Sequence, residues 1–300
     1  MRKINCIVCG SEKKITLEKQ KFDDDYLALL GPTYQNIERS LVICENCGFV
    51  FHDPQLDEND LDNLYLKFRD TSFRNETPDE YFDRITQITH KESENHSKVT
   101  WMAENIPELK NSHGRLLDIG CGGGVFLHTF KKVFSDWDIS GIEPTIAYAE
   151  LAARRLNANV LPGNYKSGMF DERFDLISIN HVLEHVIDPI SFLTDVKKDL
   201  KPEGLVYIEV PDISDLAHLN PNHDRFMMQH LWVFSAKSFT NICHIAGYKV
   251  KTLTVKNTIR QKKNLIAILK PSTKDCSKEL FYENYEDVLI LRSNRILNKD

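Results

Sequence analysis

The sequence predicts an α/β fold, a mainly parallel sheet with helices on both faces, behind a small metal-stapled unit. Three observations carry this prediction. From Arg115 to about Lys270 short apolar runs alternate with helical patterns, the signature of strand–helix–strand repetition. Four glycines follow the first of these runs directly, in "LLDIGCGGG" from Leu116 to Gly124. Two C-x-x-C pairs lie within the first fifty residues.

Taken in order, residues 1–53 form the metal-binding unit. Cys6-x-x-Cys9-Gly10 and Cys44-x-x-Cys47-Gly48 read as matched knuckles, in which the glycine permits the tight turn that points amides at the thiolate sulfurs. Four thiolates at tetrahedral spacing select zinc, in a closed and therefore structural site. Iron is chemically admissible in the same set, whereas redox chemistry needs only one such pair. Residues 54–110 are a helical linker. Thr77 as N-cap, Pro78 at the first helical position and Glu80 as the capping-box acid open an amphipathic segment that reaches about Asn105.

Residues 111–271 hold the sheet. Its strands are the runs "RLLDI", "DISGIE", "NVL", "FDLISI", "GLVYIEV", "KVKTLTV" and "NLIAIL". Residues 272–300 read as a charged helix for packing or homodimer formation, with Phe281, Tyr285, Val288, Leu289 and Ile296 on one side. Glu184 and His185, in "HVLEHV", fall at the start of a helix and read as capping and packing groups.

Charge and hydropathy exclude several classes. A formal charge of −6 over 300 residues supplies no general attraction for nucleic acid or anionic lipid, and "RQKKN" at Arg260 to Asn264 is the one compact basic cluster. No apolar run reaches the roughly 18 residues of a membrane span, and the amino end lacks a signal-peptide core. A cytoplasmic protein without membrane partners is the expectation. Seven cysteines, an odd number, fit a reducing compartment.

The glycine spacing narrows the ligand. Dinucleotide sites use G-x-G-x-x-G under a pyrophosphate, but here Asp118 precedes Gly120, Gly122 and Gly124. That carboxylate would repel phosphate and suits an amino-bearing ligand. Glu143, ending the next strand in "GIEP", can accept from both hydroxyls of a ribose. An aminoacyl nucleoside without phosphates satisfies both acids.

With "LDIGCGGG", "GIEP" and "FDLISINHVLEHVIDP" in this order, the sequence resembles the class I S-adenosylmethionine-dependent methyltransferases over Leu116 to Leu269. The resemblance implies a Rossmann-like, seven-stranded, mainly parallel sheet. It implies cofactor contacts from Asp118, Gly120, Cys121, Gly122, Glu143 and Pro144, with Gly163 and Asn164 beside adenine and Asn180 and His181 on the methyl-donor side. The segment "LPGNYKSGMF" lacks the acid often found after the third strand of that family, which leaves adenine to Asn164 or backbone.

The cysteine-rich unit ahead of such a domain resembles the architecture of deoxysugar C-methyltransferases, which act on nucleotide-linked keto sugars. Those enzymes carry a Tyr-His-Glu-His cluster that would align with "HDRFMMQHLWVFS". Only His230 keeps its place, and Met227 and Met228 cannot take the proton that carbon methylation removes. Transfer to oxygen or nitrogen of a small polar acceptor, such as a nucleotide-linked sugar, is therefore expected, with sugar C-methylation as the alternative. His230 is the candidate base, followed by His223 and His181, and Arg225 suits an acidic substrate group. An RNA methyltransferase gripping its substrate through the zinc unit, and a cofactor-binding scaffold without activity, are the readings from other classes.

Overall fold

The computed structural model describes residues 1–21, 25–34, 37–68, 75–110, 113–217, 219–220, 223–273, 280–284 and 286–290. Within them, the sheet strands are β4 (Arg115–Ile119), β5 (Asp138–Glu143), β6 (Asn159–Pro162), β7 (Phe174–Asn180), β8 (Leu200–Pro211), β10 (Tyr248–Asn257) and β11 (Lys263–Pro271). They form a seven-stranded sheet in the order β10-β11-β8-β7-β4-β5-β6. Strands β4 to β8 pair in parallel and β11 runs antiparallel to β8 and β10. All seven predicted runs are strands of this one sheet.

Period-two alternation distributes the apolar residues between the two faces. Leu117, Ile177, Val206 and Ile208 pack toward α6 (Pro189–Val196) and α7 (Ala236–Ile245). Their neighbours Leu116, Leu176, Leu205 and Tyr207 pack on the opposite face, where α3 (Glu94–Asn105), α4 (Val125–Val133) and α5 (Ile146–Leu156) supply Val99, Phe126 and Ala149. Strand order reverses between β4 and β7, so their carboxyl ends open a crevice, the usual place for a ligand in such sheets.

The linker has two helices besides α3: α1 (Glu58–Phe68) and α2 (Pro78–Thr86). The capping box of Thr77 and Glu80 is present as expected. The amphipathic segment reaching about Asn105 is divided between two helices, because the chain turns after Gln87 and restarts at α3, capped by Ser93.

The cysteine-rich segment builds a second sheet. Strands β1 (Lys14–Lys21), β2 (Glu38–Cys44) and β3 (Val50–His52) are antiparallel, and β9 (Trp232–Val233), from the stretch after β8, completes the order β1-β2-β3-β9. The sequence boundary at residue 53 thus runs through a shared structure: Phe49 stacks on Trp232 with ring centroids 5.7 Å apart and belongs to the same buried cluster as Ile177 and Val206.

In the carboxyl-terminal segment, residues 280–284 are not helical, and Phe281 exchanges two backbone–side-chain hydrogen bonds with Asn241. Helix is present at 286–290, where Val288 is buried against Ile43 and Val50. Phe281 therefore does not share a helix face with Val288. Tyr285 and Ile296 lie outside the described residues. No described helix is long and apolar enough to cross a membrane.

Candidate active site

The carboxyl ends of β4 and β5 carry the glycine rim. Gly120, Gly122 and Gly124 all adopt left-handed backbone, with φ of 73°, 54° and 80°. A side chain at Gly120 would also meet Val182, its Cβ falling 2.5 Å from the Val182 methyl. Glu143 is buried and ties the rim together: its carboxylate accepts from the Gly122 amide at 2.9 Å and from the Thr145 amide at 3.0 Å. Pro144 links Glu143 to the Thr145 amide that this carboxylate fixes. The Gly163 amide donates to the Glu143 carbonyl, and the space where its Cβ would point is open.

Asp118 lies beneath this rim, 2% exposed, accepting from Ser178 at 2.6 Å and from the Asn180 amide at 3.1 Å. Burial pushes its carboxyl up to about 7, against the pull of those two hydrogen bonds and of the Lys98 charge. The Asn180 carbonyl oxygen is buried with no hydrogen-bond partner, an acceptor available to a ligand's amino group. An aminoacyl nucleoside fits this set: an acid at the ribose position, a side-chain-free loop and an unpaired acceptor.

Two predicted cofactor residues contribute differently. The Cys121 side chain is buried toward β5, its sulfur 2.7 Å from where a Gly141 Cβ would stand, and its amide is bound to Ile142. Asn164 is exposed and donates to Asp62 of α1, so its side chain braces α1.

A cleft of about 680 Å³ opens beside the rim, walled by α2 and the start of α3 on one side and by Glu184, Glu209 and His230 on the other. His181, with φ of 53°, leaves β7 at its floor. Its Nδ1 lies 3.1 Å from Glu184 and its Nε2 3.4 Å from Glu209, which also pairs with Lys98 at 3.3 Å. Burial pulls the His181 imidazole down, but these two carboxylate hydrogen bonds more than reverse it, so its pKa is raised. With both ring nitrogens engaged, His181 has no free position from which to take a substrate proton.

His230 is the opposite case. Its Nδ1 bonds to the Arg225 carbonyl at 3.1 Å, and burial together with the nearby His185 lowers it to about 3. His230 is therefore neutral over the physiological range. His223 caps the turn at Asp224–Phe226 by accepting from the Arg225 amide, and it does not line the cleft. Arg225, expected to meet substrate, lines the cleft but is 7% exposed and engaged by Asp215, the Lys263 carbonyl and Asn264.

Sequence reasoning missed Glu209, Lys98 and Asn264 at the cleft wall. Glu209 had a signal, an acid within the apolar run "GLVYIEV", whereas Lys98 sits unmarked on a linker helix. It also misread Glu184 and His185. They occupy a single 3₁₀ turn ahead of α6, whose cap is Asp188, and Glu184 faces His181 across a hydrogen bond.

The four cysteines converge as the spacing requires. Their sulfurs lie within 4.8 Å of one another, with Cys6–Cys47 at 3.4 Å and Cys9–Cys44 at 3.5 Å. The two knuckles match: the Gly10 amide bonds to the Cys6 carbonyl and the Gly48 amide to the Cys44 carbonyl, both glycines left-handed. A zinc tetrathiolate has sulfurs roughly 3.8 Å apart, given metal–sulfur bonds near 2.3 Å, so this donor set fits one.

A family profile described as "Methyltransferase domain" matches residues 91–253, more than half of the chain. The chain belongs to the methyltransferase family. Among curated relatives, this methyltransferase is similar to the ubiquinone biosynthesis O-methyltransferase of Actinobacillus pleuropneumoniae serotype 5b, with 30% identity over 104 residues, 31% of this chain and 44% of that protein. An uncharacterized methyltransferase of Schizosaccharomyces pombe is 31% identical over 112 residues, 33% of this chain and 40% of that protein. The chain thus spans less than half the length of these relatives. In fold, the methyltransferase resembles the plantazolicin methyltransferase BpumL solved with SAH and a triazolic desmethylPZN analog, at a TM-score of 0.50 and 17% identity over 71% of this chain and 98% of that one.

Proposed function

We propose that this methyltransferase transfers the methyl group of S-adenosylmethionine to an oxygen, or secondarily a nitrogen, of a small polar acceptor. The observation that carries this reading is the proximity of two half-sites: a glycine rim tied by Glu143, and, in the cleft that begins beside it at Val125, a wall of Glu184 and His230. The bound cofactor supplies an electrophilic methyl on a sulfonium. Glu143 is positioned for the ribose hydroxyls and the free Asn180 oxygen for the amino group. Methyl transfer is an in-line displacement, so alignment and exclusion of water contribute most of what the protein adds. Tyr81 and Ile85 of α2 line the cleft and supply apolar surface to it.

The acceptor proton leaves at the wall that contains His230, because His181 is already engaged by two carboxylates. Arg260 and Lys262 of the basic cluster "RQKKN" line the cleft, which supports a polar or anionic acceptor. Oxygen is favoured by the O-methyltransferase names of the relatives. Carbon methylation is disfavoured because Met228 is fully buried in the core and offers no proton acceptor. A nucleotide-linked sugar is the first acceptor to screen, on the strength of the cysteine-rich unit alone. In that unit we place a structural zinc ion.

His230→Ala is expected to lower kcat on an oxygen acceptor by roughly 10² to 10⁴ while leaving cofactor affinity near its original value. Methyl transfer from labelled cofactor to a panel of hydroxyl, amino and keto acceptors measures the first, and calorimetric titration the second. Full activity in the variant, or label appearing only on carbon, would overturn the reading.

A further inference from the structure

Glu184, His185 and His230 each offer a ligand atom, and the three atoms lie within 4.8 Å of one another. The two imidazoles meet edge to face with centroids 4.6 Å apart. Each has its Nδ1 on a main-chain carbonyl, His185 on Gln229 at 2.8 Å and His230 on Arg225 at 3.1 Å. Donation from Nδ1 to a carbonyl fixes the tautomer in which Nε2 keeps its lone pair, the arrangement found behind metal-bound histidines. Glu184 is held the same way. One of its oxygens is bound to His181, while the other, Oε2, is fully buried with no hydrogen-bond partner. A carboxylate oxygen left unpaired away from water is costly, and a cation removes the cost.

We propose that Glu184, His185 and His230 bind a first-row divalent cation, with zinc the preferred ion, at the acceptor side of the cleft. Two imidazole nitrogens and one carboxylate form a three-ligand set for zinc that leaves a coordination position open. Glu184 and His230 line the cleft, so the open position faces the space where the acceptor binds. The cation site stands on geometry alone. Its role rests on the methyl-transfer reading: a hydroxyl bound to the ion loses its proton near neutral pH, and the resulting alkoxide attacks the methyl carbon. The oxygen–methyl bond forms as the sulfonium carbon–sulfur bond breaks, and the proton passes to solvent. His230 then acts as a ligand and takes no proton itself.

The test is a count of zinc on the full chain after dialysis against micromolar free zinc. Two ions per chain are expected, one on the four cysteines and one here. Glu184→Gln and His230→Gln should each bind one, with an unfolding midpoint and S-adenosylmethionine affinity close to the parent's. Cys44→Ser should lose the other ion and keep this one. A single ion in the intact protein that disappears with Cys44→Ser would overturn the proposal. So would a second ion that survives both Glu184→Gln and His230→Gln. If one of these variants fails to fold, His185→Gln carries the same count. Two ions without methylation of any oxygen acceptor would leave the site standing and remove the proposed function; one ion with full oxygen methylation would do the reverse.

Discussion

Glu143 holds the glycine loop and the first turn of α5 with one carboxylate, so it organises the rim before any ligand arrives. Its removal should weaken S-adenosylmethionine binding by about 2 to 3 kcal/mol, the loss expected for a charged hydrogen-bond partner. Glu143→Ala in calorimetric titration measures this, and Glu143→Gln, which keeps an acceptor oxygen, should lose less. Asp118 makes a different prediction. Its buried carboxyl is pushed from an ordinary 3.8 up to about 7, so the folded state binds this proton more tightly than the unfolded chain. The stability it contributes is complete below about pH 4 and is lost as pH rises through 7. Asp118→Asn keeps a neutral side chain beside Ser178 and removes that titration. Melting temperature of the variant relative to the parent should therefore climb between about pH 4 and 7 and level off above; a flat difference would show that Asp118 is ionised throughout.

At the scale of elements, the cysteine knuckles and β9 form one device. Cys44 and Cys47 bracket the turn from β2 toward β3, β3 pairs with β9, and His230 precedes β9 by one residue, Leu231. The His52 amide bonds to the Leu231 carbonyl, which fixes the approach to the cleft wall. Replacing Cys44 and Cys47 by serine should release one zinc and raise amide exchange across β1, β2 and β3, since metal binding supplies much of a small unit's folding energy. Exchange should also rise in β9, and methyl transfer should fall with cofactor affinity little changed. Protection confined to its original level in β9 would show that the two regions are uncoupled. The apolar runs of the main sheet are legible because each is set off by a clear break, even the short "NVL". Strand β1, "KITLEKQK", carries no such signal, because only Ile15 and Leu17 mark its alternation among charged and polar residues.

On the scale of the whole molecule, the cysteine-rich unit and the methyltransferase domain share a core. Phe49 and Phe51 lie in one buried cluster with Trp232, Phe234, Ile177 and Val206. The two parts should therefore unfold together, with zinc release and tryptophan fluorescence changing at the same temperature. Phe49→Ala removes the ring stacked on Trp232 and should cost about 3 to 5 kcal/mol, lowering that common transition. Two separate transitions in calorimetry, only one of them shifted, would mean that the parts are independent domains.

The sequence by itself determined the strands of the main sheet, the glycine rim, Glu143 and the four cysteines, because each rests on local spacing: period two in a buried strand, glycine where φ is positive, two residues between paired thiols. Only the tertiary structure decided the cleft wall. Glu184 and His185 come from a turn after β7, His230 from a segment forty-five residues later, Glu209 from β8 and Lys98 from a linker helix. No periodicity links positions so far apart. What brings them together is the parallel sheet, which delivers the ends of β7 and β8 side by side, and the pairing of β3 with β9, which draws the His230 segment onto them. His181 and His230 are shifted in opposite directions, because the carboxylates of Glu184 and Glu209 outweigh burial at the one, while burial beside a second imidazole lowers the other.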